Sequence, residues 1–321
     1  MINVCFITDE KYVIPTITAI QSIKQNLKSK ANIYILSEYL SLDTIKIFDS
    51  LASSKLKIIH KKIENNPCNN INTSHNYVSK TAMIKFLLPQ IFADIDKILY
   101  LDGDMIVQRE IEYLFDTDIS NKYAAVVTDM LWTYKHKHHI DLNLNTYFNS
   151  GMMLLNLNQM RKDNITQKLI YNKEHEKYHY FMDQDALNIS FNNNIVNLPL
   201  KYNFLLLNFT LKEMANFYKT DIKEMSEIIK SPAIVHFAGD LKPWSTIEAP
   251  KFDLWFSYFK RLPNSKLKQE TMKKLKSQLK QKKRSAEKEM LKRIFSVTNS
   301  KDKKHKIISM LGLKIKFRRS K

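Results

Sequence analysis

Residues 97–107 read Lys-Ile-Leu-Tyr-Leu-Asp-Gly-Asp-Met-Ile-Val. The uninterrupted apolar stretch 98–101 predicts a strand at the centre of a parallel or mixed sheet, covered on both faces. It stops at two carboxylates, Asp102 and Asp104, with Gly103 between them. Open α/β sheets bind their ligands beyond the carboxyl ends of the strands. Two hard oxygen donors at that place suit a divalent cation, Mg2+ or Mn2+, which can also grip a diphosphate. An isolated Asp-x-Asp is more often an acidic turn behind a core strand, so the rest of the chain has to decide between the two.

Glycine usage gives the first context. Only 4 of 321 residues are Gly, at 103, 151, 239 and 312. Glycine serves where backbone turns sharply or approaches a ligand closely. Gly103 lies between the aspartates, Gly151 follows Tyr-Phe-Asn-Ser and Gly239 follows His-Phe-Ala. Each of these three adjoins side chains able to bind a metal or ligand.

At 44% hydrophobic the chain can bury one large core and carry an appendage. No window approaches a membrane-spanning apolar run. The sequence opens on strand-like Val4-Cys5-Phe6-Ile7 without a basic, apolar leader. Two cysteines, Cys5 and Cys68, are too few for a disulfide framework. Together these features predict a cytoplasmic protein.

The formal net charge of +19 is unevenly spread. Residues 260–321 hold 23 Lys and Arg against 4 Asp and Glu, which is the whole excess, while residues 1–259 are neutral. A tail this basic stays solvated or meets a polyanion: membrane lipid, lipid-linked glycan or nucleic acid. Leu262-Pro263-Asn264-Ser265 reads as a linker. It divides a domain of residues 1–262 from a tail of residues 263–321.

Strands are predicted at 4–7, 33–36, 57–60, 98–101, 123–127, 152–155 and 233–235. Helices are predicted at 15–26, 42–51, 80–92 and 186–191, the first with Pro15 in its opening turn. Strand–helix alternation argues for an α/β, doubly wound sheet. The stretch 131–147, with Trp132, His136, His138 and His139, reads as an exposed loop or short helix, the histidines as a basic loop rather than a second metal site. In the tail, Leu267, Met272, Leu275, Leu279, Met290 and Leu291 recur among lysines at roughly helical spacing. Residues 307–319 add more exposed hydrophobes, and the whole suits an anionic membrane surface.

Five segments carry a family resemblance in their order: Phe-Ile-Thr-Asp-x-x-Tyr from residue 6, Lys-Ile-Leu-Tyr-Leu-Asp-Gly-Asp from 97, Tyr-Phe-Asn-Ser-Gly from 147, Asp-Gln-Asp-x-Leu-Asn from 183 and His-Phe-x-Gly-x-x-Lys-Pro-Trp from 236. Over residues 2–258 the chain resembles glycosyltransferase family 8, which includes retaining galactosyl- and glucosyltransferases of lipopolysaccharide synthesis. The resemblance implies a GT-A fold, a Rossmann-like mixed sheet flanked by helices, here followed by a basic C-terminal helical tail. It implies a UDP-hexose donor, with galactose placed ahead of glucose, and Mn2+ (or Mg2+) held by Asp102, Asp104 and His236.

By the same resemblance, Gly239 and Lys242 meet the phosphates, and Ile7, Thr8, Asp9 and Tyr12 meet the uridine, Tyr12 by stacking. Asp9 doubles as a helix-cap candidate. Gly103 belongs to the donor site. Lys85 stands where the family usually has arginine, keeping the charge but losing the bidentate fork. Asn149 and Asp183 match residues on the sugar hydroxyls, and Gln184 lies beneath the reacting centre.

Asp183 and Gln184 are the catalytic candidates. Front-face substitution is the expected route and a covalent intermediate the minority one. Asp129 matches an acceptor position, and the loop 65–76 with His75 is a candidate cover for the site. The expected enzyme is a hexosyltransferase acting on a lipid-linked oligosaccharide at the inner face of the plasma membrane. An inactive nucleotide-sugar- or membrane-binding homologue is the alternative. Nucleic acid is disfavoured, since no recognised module for it is present.

Overall fold

The computed structural model describes residues 1–71, 80–175, 181, 183–206, 209–299, 305–310 and 313–318. Strands and helices alternate from the start: β1 (Ile2–Ile7), α1 (Val13–Asn26), β2 (Ala31–Ser37), α2 (Leu42–Asp49) and β3 (Leu56–Lys62). Then come α3 (Leu88–Ile91), β4 (Lys97–Leu101), β5 (Met105–Val107), β6 (Ala124–Thr128), α4 (His138–Asp141) and β7 (Phe148–Asn156). Helices α5 (Leu157–Lys162), α6 (Ile165–Glu174) and α7 (Gln184–Phe191) lead to β8 (Ile195–Asn197) and β9 (Phe204–Leu205). The domain closes with α8 (Leu211–Phe217), α9 (Ile222–Lys230), β10 (Ile234–His236) and α10 (Phe252–Phe259).

The main sheet has seven strands in the order β3-β2-β1-β4-β7-β6-β8, with β4 in the middle. β1, β2, β3 and β4 run parallel, whereas β7 is antiparallel to both β4 and β6. The α/β mixed sheet expected from the 98–101 run is therefore present. Along β4, Leu99 and Leu101 enter one core cluster while Ile98 and Tyr100 enter the other. Burial on both faces is why the run shows no polar alternation. Each such side chain contributes about 1.5–3 kcal/mol by leaving water.

A second sheet, in the order β5-β10-β9, lies past the end of β4. Its antiparallel pairing of β5 with β10 sets His236 opposite Met105. The turn feeding it packs hard against α1: a Cβ on Gly103 would stand 2.3 Å from Thr16 Oγ1. Only glycine fits there without displacement.

The single helix expected over 80–92 is instead a 3-10 segment, Lys80–Leu87, followed by α3. Pro89 explains the break. It has no N–H for the carbonyl four residues earlier, and it occupies the first turn of α3.

After α10, the tail forms α11 (Lys266–Ile294). Three antiparallel strands, β11 (Phe295–Asn299), β12 (His305–Met310) and β13 (Leu313–Arg318), then stand where a helical tail is expected. Leu275 is fully buried in the main core, with Leu267 and Met272 packed against it. Gln278 ties the helix down, accepting from Ile247 N at 3.0 Å and donating to Ser245 O at 2.9 Å. Beyond it, residues 279–291 are all exposed.

Candidate active site

β4 ends at Asp102, the Gly103 turn brings Asp104, and the β5–β10 register brings His236 to both. The Phe237 amide donates to the Asp104 carbonyl at 2.9 Å, which continues that ladder past the site. His236 Nε2 lies 3.2 Å from Asp104 Oδ1 and 3.9 Å from Asp102 Oδ2. One ligand atom from each of the three residues lies within 4.8 Å of the others, the one group of this kind among the described residues.

The other carboxylate oxygens are already committed. Asp102 Oδ1 accepts from the Tyr100 hydroxyl at 2.5 Å and faces Lys85 Nζ at 3.3 Å. Asp104 Oδ2 accepts from Lys242 Nζ at 2.8 Å and from the Tyr12 hydroxyl at 3.3 Å. Each aspartate is thus gripped by one oxygen and offers the other to the space beside Nε2. Outer partners of this kind orient metal ligands, and two carboxylates with an imidazole suit a divalent cation. Burial alone would raise the Asp104 pKa, but His236 and Lys242 beside it hold its carboxyl well below the usual range.

Gly151 forms the floor of this cluster. A Cβ there would stand 2.4 Å from His236 Cε1 and 2.7 Å from Asp102 Oδ2. Gly151→Ala is expected to cost about 1–3 kcal/mol through overpacking, read as a lowered thermal midpoint.

Lys85 is 3% exposed, so the solvated helix position that its sequence context alone suggests does not hold. Its Nζ sits 2.6 Å from Asp183 Oδ2 and bridges that residue to Asp102. Burial would strip its proton, yet Asp102 and Asp183 hold its pKa above the usual lysine value. Asp183 opens α7, but its side chain caps nothing there; Ser150 Oγ donates to the same Oδ2 at 2.8 Å. Gln184 Oε1 accepts from Asn149 Nδ2 at 3.1 Å and from Ser150 N at 3.0 Å.

Asp102, Asp104, His236, Lys85, Asn149, Asp183, Gln184, Asp129 and Gly239 all line one cavity of about 500 Å3. A Cβ on Gly239 would meet nothing within 4 Å, so its backbone stands open to the cavity. Asp129 is buried, with Oδ1 accepting from Trp132 N at 3.2 Å, and burial pushes its carboxyl above the ordinary range.

A smaller cavity of about 270 Å3 adjoins Thr8, Asp9, Lys11 and Tyr39. Asp9 does cap the turn that follows, its Oδ1 accepting from Lys11 N at 2.9 Å and Tyr12 N at 3.0 Å. Ile7 is buried in β1. The Tyr12 ring meets Trp244 edge-on at 5.5 Å, and Trp244 packs in turn on Trp255.

The histidine stretch forms short helical turns, Leu131–Lys135 and α4, as one of its two expected forms, but it is not exposed throughout. His138 is buried, with Nε2 2.9 Å from Asp185 Oδ1, and the Tyr147 hydroxyl donates to that same oxygen at 2.5 Å. His136 stays exposed, stacked on Trp132 at 4.6 Å. His75 lies outside the described residues. Tyr100, Ser150 and Asn203 enter the network without any sequence signal of their own, although Ser150 sits beside Gly151, where glycine scarcity pointed.

The profile of glycosyl transferase family 8 matches residues 3–248. Among relatives, the lipopolysaccharide 1,2-glucosyltransferase of Escherichia coli is 27% identical over 251 residues, covering 75% of this chain and 73% of its own. General stress protein A of Bacillus subtilis is 32% identical over 195 residues, covering 57% of this chain and 66% of its own. The fold is that of the galactosyltransferase LgtC, solved with donor and acceptor sugar analogues: TM-score 0.69 at 20% identity, over 82% of this chain and 97% of that one. The profile begins in β1 and ends beyond β10, enclosing the cavity and every residue that lines it. The chain therefore belongs to glycosyl transferase family 8, and it is a glycosyltransferase.

Proposed function

We propose that the protein moves a hexose, galactose or glucose, from a UDP-sugar to a lipid-linked oligosaccharide such as a lipopolysaccharide core, with retention and with Mn2+ (or Mg2+) as cofactor. One observation carries the proposal: Asp102 Oδ2, Asp104 Oδ1 and His236 Nε2 converge while the opposite carboxylate oxygens are pinned. These three atoms would hold the cation. When bound, it supplies Lewis-acid stabilisation of the departing diphosphate.

Lys242, on Asp104, adds a cation that strengthens the hold on the phosphates. On the nucleoside side, Asp9 would present Oδ2 to the uracil, since Oδ1 is spent on the cap. Thr8 and Ile7 offer backbone groups beside it, the Tyr12 ring would stack on the base, and Gly103 would let the Asp102–Asp104 turn approach the diphosphate. Asn149, Asp183 and Lys85 would hold the sugar hydroxyls.

The network also favours front-face substitution over a covalent intermediate. The Lys85 ammonium against Asp183 Oδ2 draws charge from that carboxylate as a whole, and Gln184 Oε1 already accepts two hydrogen bonds, which makes each a poor nucleophile. Gln184 would lie against the developing positive charge at the anomeric carbon, and Asp129 would meet the acceptor. The lipopolysaccharide glucosyltransferase among the relatives supports a lipid-linked acceptor.

Screening UDP-sugars for Mn2+-dependent hydrolysis by the purified protein tests this function. Turnover of UDP-galactose or UDP-glucose is expected. Binding of UDP with Mn2+ but no turnover of any donor would instead favour an inactive nucleotide-sugar binder.

The tail is proposed to bind an anionic membrane on its cytoplasmic face. No helix among the described residues is long and apolar enough to cross a membrane. Exposed Leu313 and Ile315 alternate with Lys314 and Lys316 on β13, and α11 carries further basic residues past residue 279. Each Lys or Arg near such a surface contributes about 1 kcal/mol. A chain ending at Arg284 keeps Leu275 and Gln278, so it is expected to retain hydrolysis and its thermal midpoint but to lose binding to anionic vesicles. Undiminished vesicle binding would reject the tail as the membrane contact.

A further inference from the structure

We infer that Asn203 is a positioning residue for His236, fixing which imidazole nitrogen faces the aspartates; the inference rests on the metal site proposed above. Asn203 is fully buried between the 3-10 turn Leu200–Tyr202 and β9. His236 Nδ1 lies 3.1 Å from Asn203 Oδ1, and Asn203 Nδ2 lies 3.0 Å from Asn149 Oδ1. The oxygen and nitrogen of an amide look alike, so their orientation must come from their partners.

Two backbone amides supply it, because a backbone N–H can only donate. Ser150 N–H donates to Gln184 Oε1 at 3.0 Å, and Gly151 N–H donates to Asn149 Oδ1 at 3.1 Å. Asn149 then turns its Nδ2 to Gln184. Asn203 must in turn present Nδ2 to Asn149 Oδ1, which leaves its own Oδ1 for His236. An oxygen there accepts only from a protonated Nδ1. Nε2 is the nitrogen left facing Asp104 and Asp102 at 3.2 and 3.9 Å.

A ligating histidine that donates its second N–H in this way has its tautomer and ring orientation fixed. The relay has one direction, from His236 through Asn203 and Asn149 to Gln184. It ties the metal side of the cavity to the sugar side.

The test is calorimetry with MnCl2 on the full chain, as wild type, Asn203→Leu and Asn203→Asp, with thermal unfolding in chelator to check that each variant folds. Imidazole 15N spectra of the wild type, with Zn2+ as a diamagnetic probe, form the second arm. Asn203→Leu is expected to bind Mn2+ about 10- to 100-fold more weakly. Asn203→Asp keeps an acceptor opposite Nδ1 but loses the donor to Asn149 Oδ1, so it is expected to bind Mn2+ more tightly than Asn203→Leu while unfolding at a lower temperature than wild type. In the spectra, the His236 Nδ1 proton is expected to survive Zn2+ addition.

Equal Mn2+ affinity in wild type and Asn203→Leu, or loss of the Nδ1 proton to Zn2+, overturns the relay alone. A wild type that binds no Mn2+ overturns the metal site and the relay together. If Asn203→Leu does not fold, the wild-type spectrum decides.

Discussion

Asp104→Asn is expected to lower Mn2+-dependent turnover of the UDP-sugar on the order of 10³-fold, the scale of losing a preorganised electrostatic partner in a catalytic site. The substitution keeps the shape of the side chain and removes its charge. Asp104 Oδ1 would be lost as an anionic donor beside His236 Nε2, while Oδ2 would no longer offset Lys242. Metal affinity and turnover should therefore fall together, whereas UDP binding without metal should fall much less. Calorimetry with Mn2+, alongside steady-state hydrolysis, separates these effects. Loss of turnover with full Mn2+ affinity would show that Asp104 acts elsewhere than on the cation.

Lys85→Met is expected to have the largest effect on stability. It leaves the buried Asp183 and the half-buried Asp102 side by side on one wall of the cavity with no cation between them. Breaking a buried pair by deleting one partner costs about 3–5 kcal/mol, because the remaining charge stays buried. The Tyr100 ring, 4.7 Å beneath the ammonium, loses its cation–π contact as well. Chemical denaturation measures the loss. Lys85→Arg keeps the charge and is expected to recover most of the stability, even with its wider planar head. A Met variant as stable as wild type would mean that water, not Lys85, screens the two carboxylates.

The parts of the fold that rest on local pattern were legible in the sequence. The apolar run 98–101 is continuous because both faces of β4 are buried, and it lies in the middle of the sheet. Asp102 and Asp104 could be read as a pair because they are neighbours, whereas His236 reached them only through the family resemblance. Its position depends on the β5–β10 register, which no local pattern encodes.

Lys85 was opaque for a related reason. A lysine inside a helix-like segment reads as solvated, and only the 3-10 geometry ahead of Pro89 shares the site with Asp183. Asn203 carries no signal of its own and Ser150 only its place beside Gly151, since amide and hydroxyl side chains look the same in a loop as in a relay. In the tail, helical spacing was right for Leu267, Met272 and Leu275, which turn toward the core. It failed beyond residue 294, where the alternation of Leu313, Lys314, Ile315 and Lys316 is the two-residue period of a strand.

The central claim is that one cation sits between Asp102, Asp104 and His236. Crystals of the full chain grown with UDP and MnCl2, measured at the manganese absorption edge, test it most directly. A single anomalous peak bounded by Asp102 Oδ2, Asp104 Oδ1 and His236 Nε2, and touching the diphosphate, is the predicted result. UDP bound in the cavity with no anomalous peak there, or with manganese held by other residues, would contradict it.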